Sequence, residues 1–338
     1  MIAILGGGVA GASVARSLAR RGARDVVVYD PGRPGGGSTG KALGGFRTQH
    51  GSELNVKLSL ASRDYFAARA DRVDFRPVGY LYLAEDEATA DELEARADVQ
   101  RSLGLPVEHP EPRKLLPFLE TEDLAGANFC ALDGVYAPLR VLACIVEEAA
   151  SAGARFCYET EWPDGRRAET TVIAAGLWSA EVGERLGIRL AVTPLERGVF
   201  QVGPFDWLPA RVPMTLEARS GYHFREREGR LLLMGPGDQN DYGHFRDWLT
   251  RRAPRAAAPQ PESHWTGSYE MTPDHHPLVG ATEAPGVWAC CGFSGHGVMH
   301  SPAIGESLAA MILGETPPLD ISALSPLRSA PLEDRTQL

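Results

Sequence analysis

IAILGGGVAGASVARSLARRGARDVVVYD, residues 2–30, is the stretch that decides the fold of this chain. Its first four residues are apolar and predict a short buried strand. Gly6, Gly8 and Gly11 then complete a Gly-x-Gly-x-x-Gly pattern at the start of a predicted helix. A second apolar strand follows that helix and ends at Asp30, about 20 residues after Gly11. This order of a strand, a glycine turn, a helix, a second strand and an acidic residue predicts a Rossmann-type α/β unit.

The glycine turn is predicted to hold the pyrophosphate of a dinucleotide. The glycines permit a tight turn and let backbone N–H groups, including those of Val9 and Ala10, approach phosphate at the positive end of the helix. Asp30 is placed to accept a hydrogen bond from a ribose hydroxyl. The turn alone leaves open whether the dinucleotide is NAD or FAD.

The composition is that of a globular protein of about two domains. The chain has 338 residues, of which 43% are hydrophobic, and a net charge of −10. Because this acidity comes without a basic stripe, nucleic acid is not an expected partner. No run of about 18 uncharged apolar residues predicts a membrane span. The first residues lack the basic segment of a signal peptide, so a cytoplasmic location is expected.

The positions of cysteine and histidine predict neither disulfides nor a metal site. The five cysteines are scattered without Cys-x-x-Cys spacing, which is typical of small buried hydrophobic residues. His275 and His276 are adjacent, and neighbours on a strand point to opposite faces, which makes them poor joint ligands. No metal is expected.

A second glycine-rich loop, STGKALGGFR over residues 38–47, follows the second strand. Such a loop is unusual in simple nicotinamide enzymes, and here the chain resembles the D-amino-acid-oxidase-like (DAO) family of FAD-dependent oxidoreductases. This family includes sarcosine oxidases, glycine oxidase and the catalytic subunits of dye-linked proline dehydrogenases. Further stretches are similar to family motifs, in the family's order: TVIAAGLWS at 171–179, GYHFR at 221–225 with LLLMG at 231–235, WTGSYEMTPD at 265–274, and CGFSGHG at 291–297.

The resemblance implies an α/β fold in which a Rossmann-type FAD-binding domain is interleaved with a mixed-sheet substrate-binding domain. The two domains are expected to divide the chain into residues 1–75, 136–189 and 267–325 for FAD, and 76–135 and 190–266 for substrate. Residues 326–338 are polar and are expected to form a disordered tail. The interval from Phe156 to Thr171 is short and predicts a trimmed hairpin.

The carboxyl-terminal motif predicts a second helix beside the cofactor. Residues 287–291 are typical of a strand, 292–297 of an irregular glycine loop, and Ser301 with Pro302 of a helix start. The resemblance implies that this helix points its positive end at the flavin, where it would stabilise negative charge on the reduced cofactor. Taken without the other motifs, the loop is explained equally well as an ordinary turn.

FAD is expected to bind without a covalent bond. Some relatives attach flavin through a cysteine or a histidine, and the matching positions here hold Gly267 and Lys41. The residues expected to contact the cofactor are Gly6, Gly8, Val9, Ala10, Gly11, Asp30, Ser38, Thr39, Lys41, Gly44, Gly45, Ala175, Gly176, Trp178, Gly292, Ser294, Gly295, His296, Gly297 and Val298.

Arg47, His296 and Tyr269 are the candidate catalytic residues. Arg47 ends the early glycine loop, where an arginine suits an anionic flavin or a substrate carboxylate. His296 lies within the loop that resembles the family's flavin contact, although a lone histidine is more often satisfied by the backbone. The residues expected to bind substrate are Arg47, Tyr222, Arg225, Tyr269 and Met299.

Several family positions carry different residues in this chain. The lysine and the arginine that hold the substrate carboxylate in sarcosine oxidases and glycine oxidase correspond to Met299 and Tyr269. Arg47 is therefore the cation expected to reach a carboxylate. The lysine that promotes reaction with oxygen in monomeric sarcosine oxidases corresponds to Leu233, and leucine cannot stabilise superoxide. This favours a dehydrogenase that passes electrons to a quinone or a partner protein over an oxidase that uses O2.

The resemblance implies oxidation of the C–N bond of a small amino acid or N-alkyl amino acid similar to proline, sarcosine or glycine. Hydride would pass to flavin N5, and the resulting imine would be hydrolysed. One alternative is a 2-hydroxy-acid or polyol-phosphate dehydrogenase, in which Arg225 and Arg47 would bind phosphate. Another is a non-catalytic FAD-binding assembly factor or subunit. Both a homo-oligomer and a hetero-oligomer are compatible with these alternatives.

Overall fold

A computed structural model describes residues 1–163 and 168–332. Residues 164–167, in the interval where a trimmed hairpin is expected, and residues 333–338, the end of the expected tail, lie outside the described residues. The strands are Ile2–Leu5 (β1), Val26–Tyr29 (β2), Gly45–Phe46 (β3), Tyr80–Ala84 (β4), Val107–Glu108 (β5), Gly126–Cys130 (β6), Gly134–Val135 (β7), Arg155–Cys157 (β8), Thr170–Ile173 (β9), Thr193–Val202 (β10), Met214–Glu217 (β11), His223–Arg227 (β12), Arg230–Met234 (β13), Ser263–Met271 (β14), Leu278–Ala281 (β15) and Val287–Cys291 (β16). The helices are Val9–Arg20 (α1), Ser38–Lys41 (α2), Glu53–Ala67 (α3), Ala70–Val73 (α4), Glu87–Ser102 (α5), Pro112–Leu115 (α6), Pro138–Ser151 (α7), Ser179–Arg185 (α8), Gly243–Arg252 (α9) and Gly297–Ile312 (α10).

The glycine turn lies at the edge of a six-stranded sheet with the order β15-β16-β9-β1-β2-β8. Its strands pair in parallel except for β15, which runs antiparallel to β16 at one edge. Because parallel neighbours need a crossover connection, α1 joins β1 to β2 across one face of the sheet. This is the Rossmann-type arrangement that the sequence predicts, and it brings the carboxyl ends of β1, β2 and β9 to one edge.

Helix α1 is held between α7 and α10 against this sheet. Its apolar residues Val14 and Leu18 pack with Ile304 and Leu308 of α10 and are fully buried. The two helices approach so closely at Gly305 that a Cβ there would stand 2.7 Å from the backbone of Ser13. The close packing fixes the start of α10 relative to the glycine turn at the start of α1.

The second layer is an eight-stranded mixed sheet with the order β14-β10-β13-β12-β11-β4-β6-β5. Its strands are antiparallel neighbours except for the parallel pair of β11 and β4. One face packs against α9 through Trp248 and Leu249, and the other face carries Tyr80, Tyr82 and Met234. A separate small ribbon joins β3 to β7.

The domain boundary expected at residues 266 and 267 falls inside a strand. β14 runs from Ser263 to Met271 and pairs along this whole length with β10 of the eight-stranded sheet. Residues 267–271 are therefore part of the sheet that the sequence assigns to the substrate-binding domain. With that correction, the division into two interleaved domains remains a proposal.

Helix α10 begins earlier than the sequence predicts. It starts at Gly297 with His296 as its N-cap, so Ser301 and Pro302 lie inside the helix. A proline there has no N–H to donate to the carbonyl of Val298, four residues earlier. The Ser301 hydroxyl donates to that same carbonyl over 3.1 Å, which replaces the missing hydrogen bond. The irregular glycine loop is accordingly shorter and ends at His296.

The beginning of the tail is ordered where the sequence predicts disorder. The guanidinium of Arg328 donates to both carboxylate oxygens of Asp274, over 2.7 and 2.8 Å, and to the backbone carbonyls of His276 and Pro277. The side chains of Ile321 and Leu324 are fully buried just before it. The described part of the tail, up to residue 332, is thus bound through Arg328 to the loop that connects β14 to β15.

Candidate active site

A cavity of about 680 Å³ lies between the glycine turn of the six-stranded sheet and one face of the eight-stranded sheet. Most residues expected to contact the cofactor line it: Gly6, Gly8, Val9, Ala10, Asp30, Ser38, Thr39, Lys41, Ala175, Gly176, Trp178, Gly295, Gly297 and Val298. Among the described residues, Gly11, Gly44, Gly45, Gly292, Ser294 and His296 of the expected set are not in its lining. The structure thus brings the early and the late glycine loops together around one space.

The glycines of the turn have different physical roles. Gly6 has φ +115°, and a Cβ on it would overlap the carbonyl oxygen of Ala174. A Cβ on Gly11 would overlap the carbonyl oxygen of Gly6, so Gly11 allows the helix to approach the strand. Gly8 is the N-cap of α1 and lines the cavity, where a Cβ would meet only Thr39 Oγ1 at 3.4 Å. Gly8 therefore leaves open the space in front of the first N–H groups of the helix.

Asp30 and Thr39 hold this turn in place. The Asp30 carboxylate lines the cavity and accepts hydrogen bonds from the N–H groups of Gly7 at 2.7 Å and Gly32 at 2.8 Å. Thr39 Oγ1 accepts from the N–H of Val9 at 3.2 Å, which satisfies a helix-start donor. Both loops at the carboxyl ends of β1 and β2 are thereby fixed around the opening.

The residues around this cavity fit FAD. The open positive end of α1 suits a pyrophosphate, and Asp30 at the end of β2 suits a ribose hydroxyl. Trp178 lines the cavity with 51% of its surface exposed, so its ring offers an uncovered face to a second ring system. Gly267 and Lys41 also line the cavity, and neither has the sulfur or the imidazole through which some relatives bind flavin.

The eight-stranded sheet contributes Arg197, Met234 and Tyr269 to the opposite wall. Tyr269 donates its hydroxyl to Met234 Sδ over 3.3 Å, and its ring lies 3.0 Å from where a Cβ on Gly295 would be. Tyr269 therefore lies in the cavity wall, in contact with the loop that precedes α10.

Met234, and not Leu233, faces the cavity from β13. Leu233 is fully buried in the cluster that packs against α9, on the far face of the sheet. Side chains alternate along a strand, so an assignment that is wrong by one residue moves the side chain to the other face. Met234 carries no charge either, so the absence of a cation at this position does not depend on which residue is chosen.

Arg47 and His296 contact each other in a buried polar cluster. Arg47 is 1% exposed and donates from Nη1 to Tyr82 Oη over 2.6 Å, while its Nη2 lies 2.6 Å from His296 Nε2. Burial, followed by the positive charge of Arg47, lowers the pKa of His296 and of His50 well below the usual range. Neutral His296 can thus accept the Arg47 hydrogen bond at Nε2. Within the described residues, neither Arg47 nor His296 is part of the cavity lining.

Three residues expected to bind substrate have other surroundings. The Tyr222 ring stacks on Trp248, on the face of the sheet that packs against α9, and its hydroxyl oxygen lies 3.0 Å from His244 Nδ1. Met299 is buried in the cluster that contains Val9 and Phe46. The Arg225 guanidinium is buried, and its Nη1 donates to the carbonyls of Leu43, Gly44 and Tyr136 at 2.7, 2.9 and 3.0 Å. These contacts are structural, so the three expectations are corrected.

The Arg225→Met variant tests this correction. It removes the donor shared by three backbone carbonyls, so we expect the free energy of unfolding to fall by about 1–3 kcal/mol, with KM unchanged. Denaturant unfolding and steady-state kinetics measure the two quantities. Arg227→Met, which removes an exposed arginine from the same strand, is the control. A raised KM with unchanged stability would instead support a role for Arg225 in substrate binding.

Glu270 is a cavity residue that the sequence analysis missed. Its carboxylate lines the cavity and accepts the N–H of Gly292 at 3.0 Å, while its carbonyl accepts the N–H of Ser294 at 3.0 Å. Glu270 thereby positions Gly292 and Ser294, both of which have positive φ, at the start of the late glycine loop. Burial raises the pKa of Glu270 to about 7 against the opposing effect of the amide donors. The sequence pattern around Tyr269 does not indicate this contact, because it joins Glu270 to a loop 22 residues further along the chain.

The raised pKa of Glu270 predicts a pH dependence of stability. In the folded protein the carboxyl keeps its proton up to about pH 7, whereas the unfolded chain releases it near the usual value of 4.5. The free energy of unfolding should therefore fall by about 1–3 kcal/mol as the pH rises through this interval. Denaturant unfolding of Glu270→Gln should show a smaller fall. Asp133, whose pKa is raised to about 6 by burial, contributes a slope of the same sign to both proteins, so their difference isolates Glu270.

Residues 1–163 and 168–332 contain no group of three or more histidine, cysteine, aspartate and glutamate side chains that could hold a metal ion. No helix in these same residues is long and apolar enough to cross a membrane.

Comparison with known proteins gives consistent matches over nearly the whole chain. The family model described as DAO, FAD dependent oxidoreductase, matches residues 1–311. Glycine oxidase from Geobacillus kaustophilus is 30% identical over 96% of both chains. A crystal structure of glycine oxidase from the same species has a TM-score of 0.86 at 27% identity, covering 97% of this chain and 98% of that one. L-proline dehydrogenase from P. horikoshii shares the fold, with a TM-score of 0.89 at 24% identity, covering 97% of this chain and 96% of that one. The chain therefore belongs to the DAO family of FAD-dependent oxidoreductases and is an enzyme of the amino-acid oxidase or dehydrogenase type.

Proposed function

We propose that this enzyme oxidises the C–N bond of a small amino acid or N-alkyl amino acid. The observation that carries the proposal is a cavity that has the nucleotide turn on one side and Arg197, Met234 and Tyr269 of the eight-stranded sheet on the other. The similarity to glycine oxidase supports the substrate class. FAD, when bound, supplies the acceptor for the hydride of the substrate.

The side chains around the cavity align the substrate and set the local charge. Tyr269 forms a rigid wall because its ring is in contact with the position of Gly295 and its hydroxyl is bonded to Met234. The first N–H groups of α10 have no partner within the helix and give its start a partial positive charge beside Gly297. Neutral His296 is the N-cap of this helix, and its ring contacts the charged guanidinium of Arg47. This environment favours negative charge in the adjoining part of the cavity.

A phosphate-bearing substrate has less support. Such a phosphate would need both Arg225 and Arg47 as cations, and the Arg225 guanidinium already donates to three backbone carbonyls. We further propose that electrons pass to a quinone or a partner protein more readily than to O2, because uncharged Met234 stands where a cation would be needed. The rate at which air reoxidises the reduced flavin measures how readily the enzyme passes electrons to O2.

An anaerobic titration of the FAD-loaded protein tests the proposed function. L-amino acids, D-amino acids, N-methyl amino acids and 2-hydroxy acids are added as separate pools while the flavin absorbance is recorded. We expect an amino-acid or N-methyl amino-acid pool to bleach the flavin band. Bleaching by 2-hydroxy acids alone would contradict the proposal. Bleaching by dithionite but by none of the pools would contradict it as well.

A further inference from the structure

His223 is a titratable residue on the cavity side of the eight-stranded sheet that the sequence does not single out. It begins β12 and stands directly opposite Met234 of β13 and Leu216 of β11 in the register of the sheet. Directly opposite residues of an antiparallel pair project to the same face. Because Met234 lines the cavity, the His223 ring projects to the cavity side, whereas Tyr222 and Phe224 pack on the side of α9.

The order of the sheet separates His223 from the strand that carries Gly267. Gly267 lines the cavity from β14, three strands away from β12, which corresponds to about 14 Å at the usual spacing of strands. In the other direction, Tyr82 lies on β4, two strands from β12, and its hydroxyl accepts a hydrogen bond from Arg47. His223 thus continues the wall from Met234 towards the candidate catalytic residue Arg47, one strand beyond the lining of the cavity.

The hydrogen bond at Nδ1 fixes the tautomer of the His223 ring. Nδ1 lies 2.9 Å from the carbonyl oxygen of Gly221, and a carbonyl only accepts, so the ring hydrogen is on Nδ1. Burial, followed by the positive charges of Arg47 and Arg197, lowers the pKa of His223 to about 4 against the opposing effect of this hydrogen bond. At neutral pH the ring is therefore uncharged, and its Nε2 carries a lone pair that can accept a hydrogen bond.

This acceptor is not used inside the described part of the protein. Within residues 1–163 and 168–332, no hydrogen bond engages Nε2 of His223, and the residue is partly exposed. The buried His296 differs, because its Nε2 lies 2.6 Å from Arg47 Nη2. The charges that act on the His223 ring are those of Arg47 and Arg197, and both oppose a cationic ligand. A neutral N–H donor from outside the chain matches these surroundings.

We infer that Nε2 of His223 accepts a hydrogen bond from the amine N–H of the substrate, an assignment that rests on the proposed function. As the hydride leaves the α carbon, the nitrogen lone pair forms the C=N bond and the hydrogen stays on nitrogen, which becomes positively charged. Its N–H is then a stronger donor, so the acceptor stabilises charge that develops during the reaction. A neutral tertiary amine has no N–H to donate. His223 therefore selects primary and secondary amines over N,N-dialkyl amino acids.

Three substitutions separate the acceptor from the other contacts of His223. His223→Asn can keep the donor to the Gly221 carbonyl but removes the acceptor at Nε2, and His223→Phe keeps the ring shape but removes both. His223→Gln places an amide oxygen near the position of Nε2 and so restores an acceptor. His264→Asn is the control, since His264 lies on β14 of the same sheet and stacks on Phe200 on the side of α9.

The rate of anaerobic flavin reduction is measured with an amino-acid substrate and with its derivative in which every N–H is replaced by N-methyl. We expect His223→Asn and His223→Phe to lower the rate for the N–H substrate by about 10- to 100-fold. The rate for the fully methylated derivative should change by less than about threefold, because no hydrogen bond to Nε2 is lost. His223→Gln should recover part of the rate, and His264→Asn should behave like the unsubstituted enzyme.

A binding measurement tests the same contact without turnover. Pyrrole-2-carboxylate and furan-2-carboxylate have nearly the same shape, but only the first has a ring N–H. The change in flavin absorbance at saturating FAD gives the Kd of each. We expect the unsubstituted enzyme to prefer the pyrrole by about 10-fold and His223→Asn to lose this preference. The Kd of FAD and the Tm should be the same in both proteins.

Two results would overturn the assignment. The first is a ratio of the pyrrole and furan Kd values that is the same in His223→Asn as in the unsubstituted enzyme. The second is an equal loss of rate for the N–H substrate and its methylated derivative, which would assign a structural role to His223. Failure of the proposed function looks different, since no amino-acid pool would then reduce the unsubstituted enzyme. The two probes would still report in that case, and a pyrrole preference that is lost in His223→Asn would support His223 as the acceptor for another N–H donor.

Discussion

A Gly11→Ala variant is expected to lose both stability and FAD, whereas Gly8→Ala is expected to fold normally and to lose FAD alone. A Cβ on Gly11 would overlap the carbonyl oxygen of Gly6 and stand 3.1 Å from Ile4 Cγ2. The Gly6 carbonyl is part of the backbone of the turn, so it cannot yield unless the turn itself moves. The free energy of unfolding should fall by about 1–3 kcal/mol.

Gly8 is the informative partner of this pair because its backbone tolerates a side chain. Its φ is −70°, and the nearest atom to an added Cβ is Thr39 Oγ1 at 3.4 Å, an ordinary contact. The methyl group would instead occupy the cavity at the N-terminus of α1, where a phosphate needs direct access to the N–H groups. We expect the Kd of FAD to rise about 10- to 100-fold without a change in apoprotein stability.

Fluorescence titration with FAD and denaturant unfolding of the apoproteins measure these effects. Gly126→Ala is a suitable control, because its added Cβ would meet Ala90 Cβ at 3.5 Å and the residue lies far from the turn on β6. If Gly8→Ala bound FAD as tightly as the unsubstituted protein, the pyrophosphate could not lie at this turn.

The parts of the fold that depend on local pattern could be predicted from the sequence. The Rossmann-type sheet follows from the first apolar strand, the glycine spacing and Asp30, all of which lie within about 30 residues of the sequence. The sequence predicts the start of α10 five residues too late, because Ser301 and Pro302 imitate an N-cap and a first helical residue. The Ser301 hydroxyl compensates for the proline within the helix, and this compensation leaves no mark in a sequence pattern.

The roles of the arginines depend on contacts between distant segments. Arg225 reaches the carbonyls of Leu43 and Gly44, about 180 residues away along the chain, and such a contact has no local signature. Arg197 carries no family motif, and only the pairing of β10 with β14 brings it to the cavity. The alternation along β10 could have indicated the face of Arg197, but the partners of that face become known only with the sheet order.

The Arg328→Met variant is expected to lower the free energy of unfolding by about 3–5 kcal/mol. The side chain of Asp274 is 5% exposed, and the Arg328 guanidinium donates one hydrogen bond to each of its two oxygens. The same guanidinium donates to the carbonyls of Pro277, Leu324 and Ser325. Removal of one partner leaves a buried carboxylate without its cation, and this costs far more than loss of an exposed pair.

The pH dependence identifies the ion pair as the cause. Hydrogen bonds from Arg328 and from backbone amides outweigh burial and lower the pKa of Asp274 to about 2. The stabilisation from this shift is complete above the usual value of 3.8 and is lost as the pH falls towards 2. In Arg328→Met, burial acts without the guanidinium, so the variant should lose less stability over this acid interval than the unsubstituted protein.

Denaturant unfolding of a double-mutant cycle with Asp274→Asn measures the coupling between the two residues. Arg155→Met is the control, since it breaks an exposed pair with Asp25 at 3.1 Å and should change the free energy of unfolding by less than about 1 kcal/mol. A change in Arg328→Met as small as that of the control would show that the tail is not fastened at Asp274. A large change with no coupling to Asp274→Asn would assign the stabilisation to the carbonyl contacts of Arg328 alone. With coupling, the ion pair couples the carboxyl-terminal segment to the end of β14, the strand that also carries Tyr269 and Glu270 of the cavity wall.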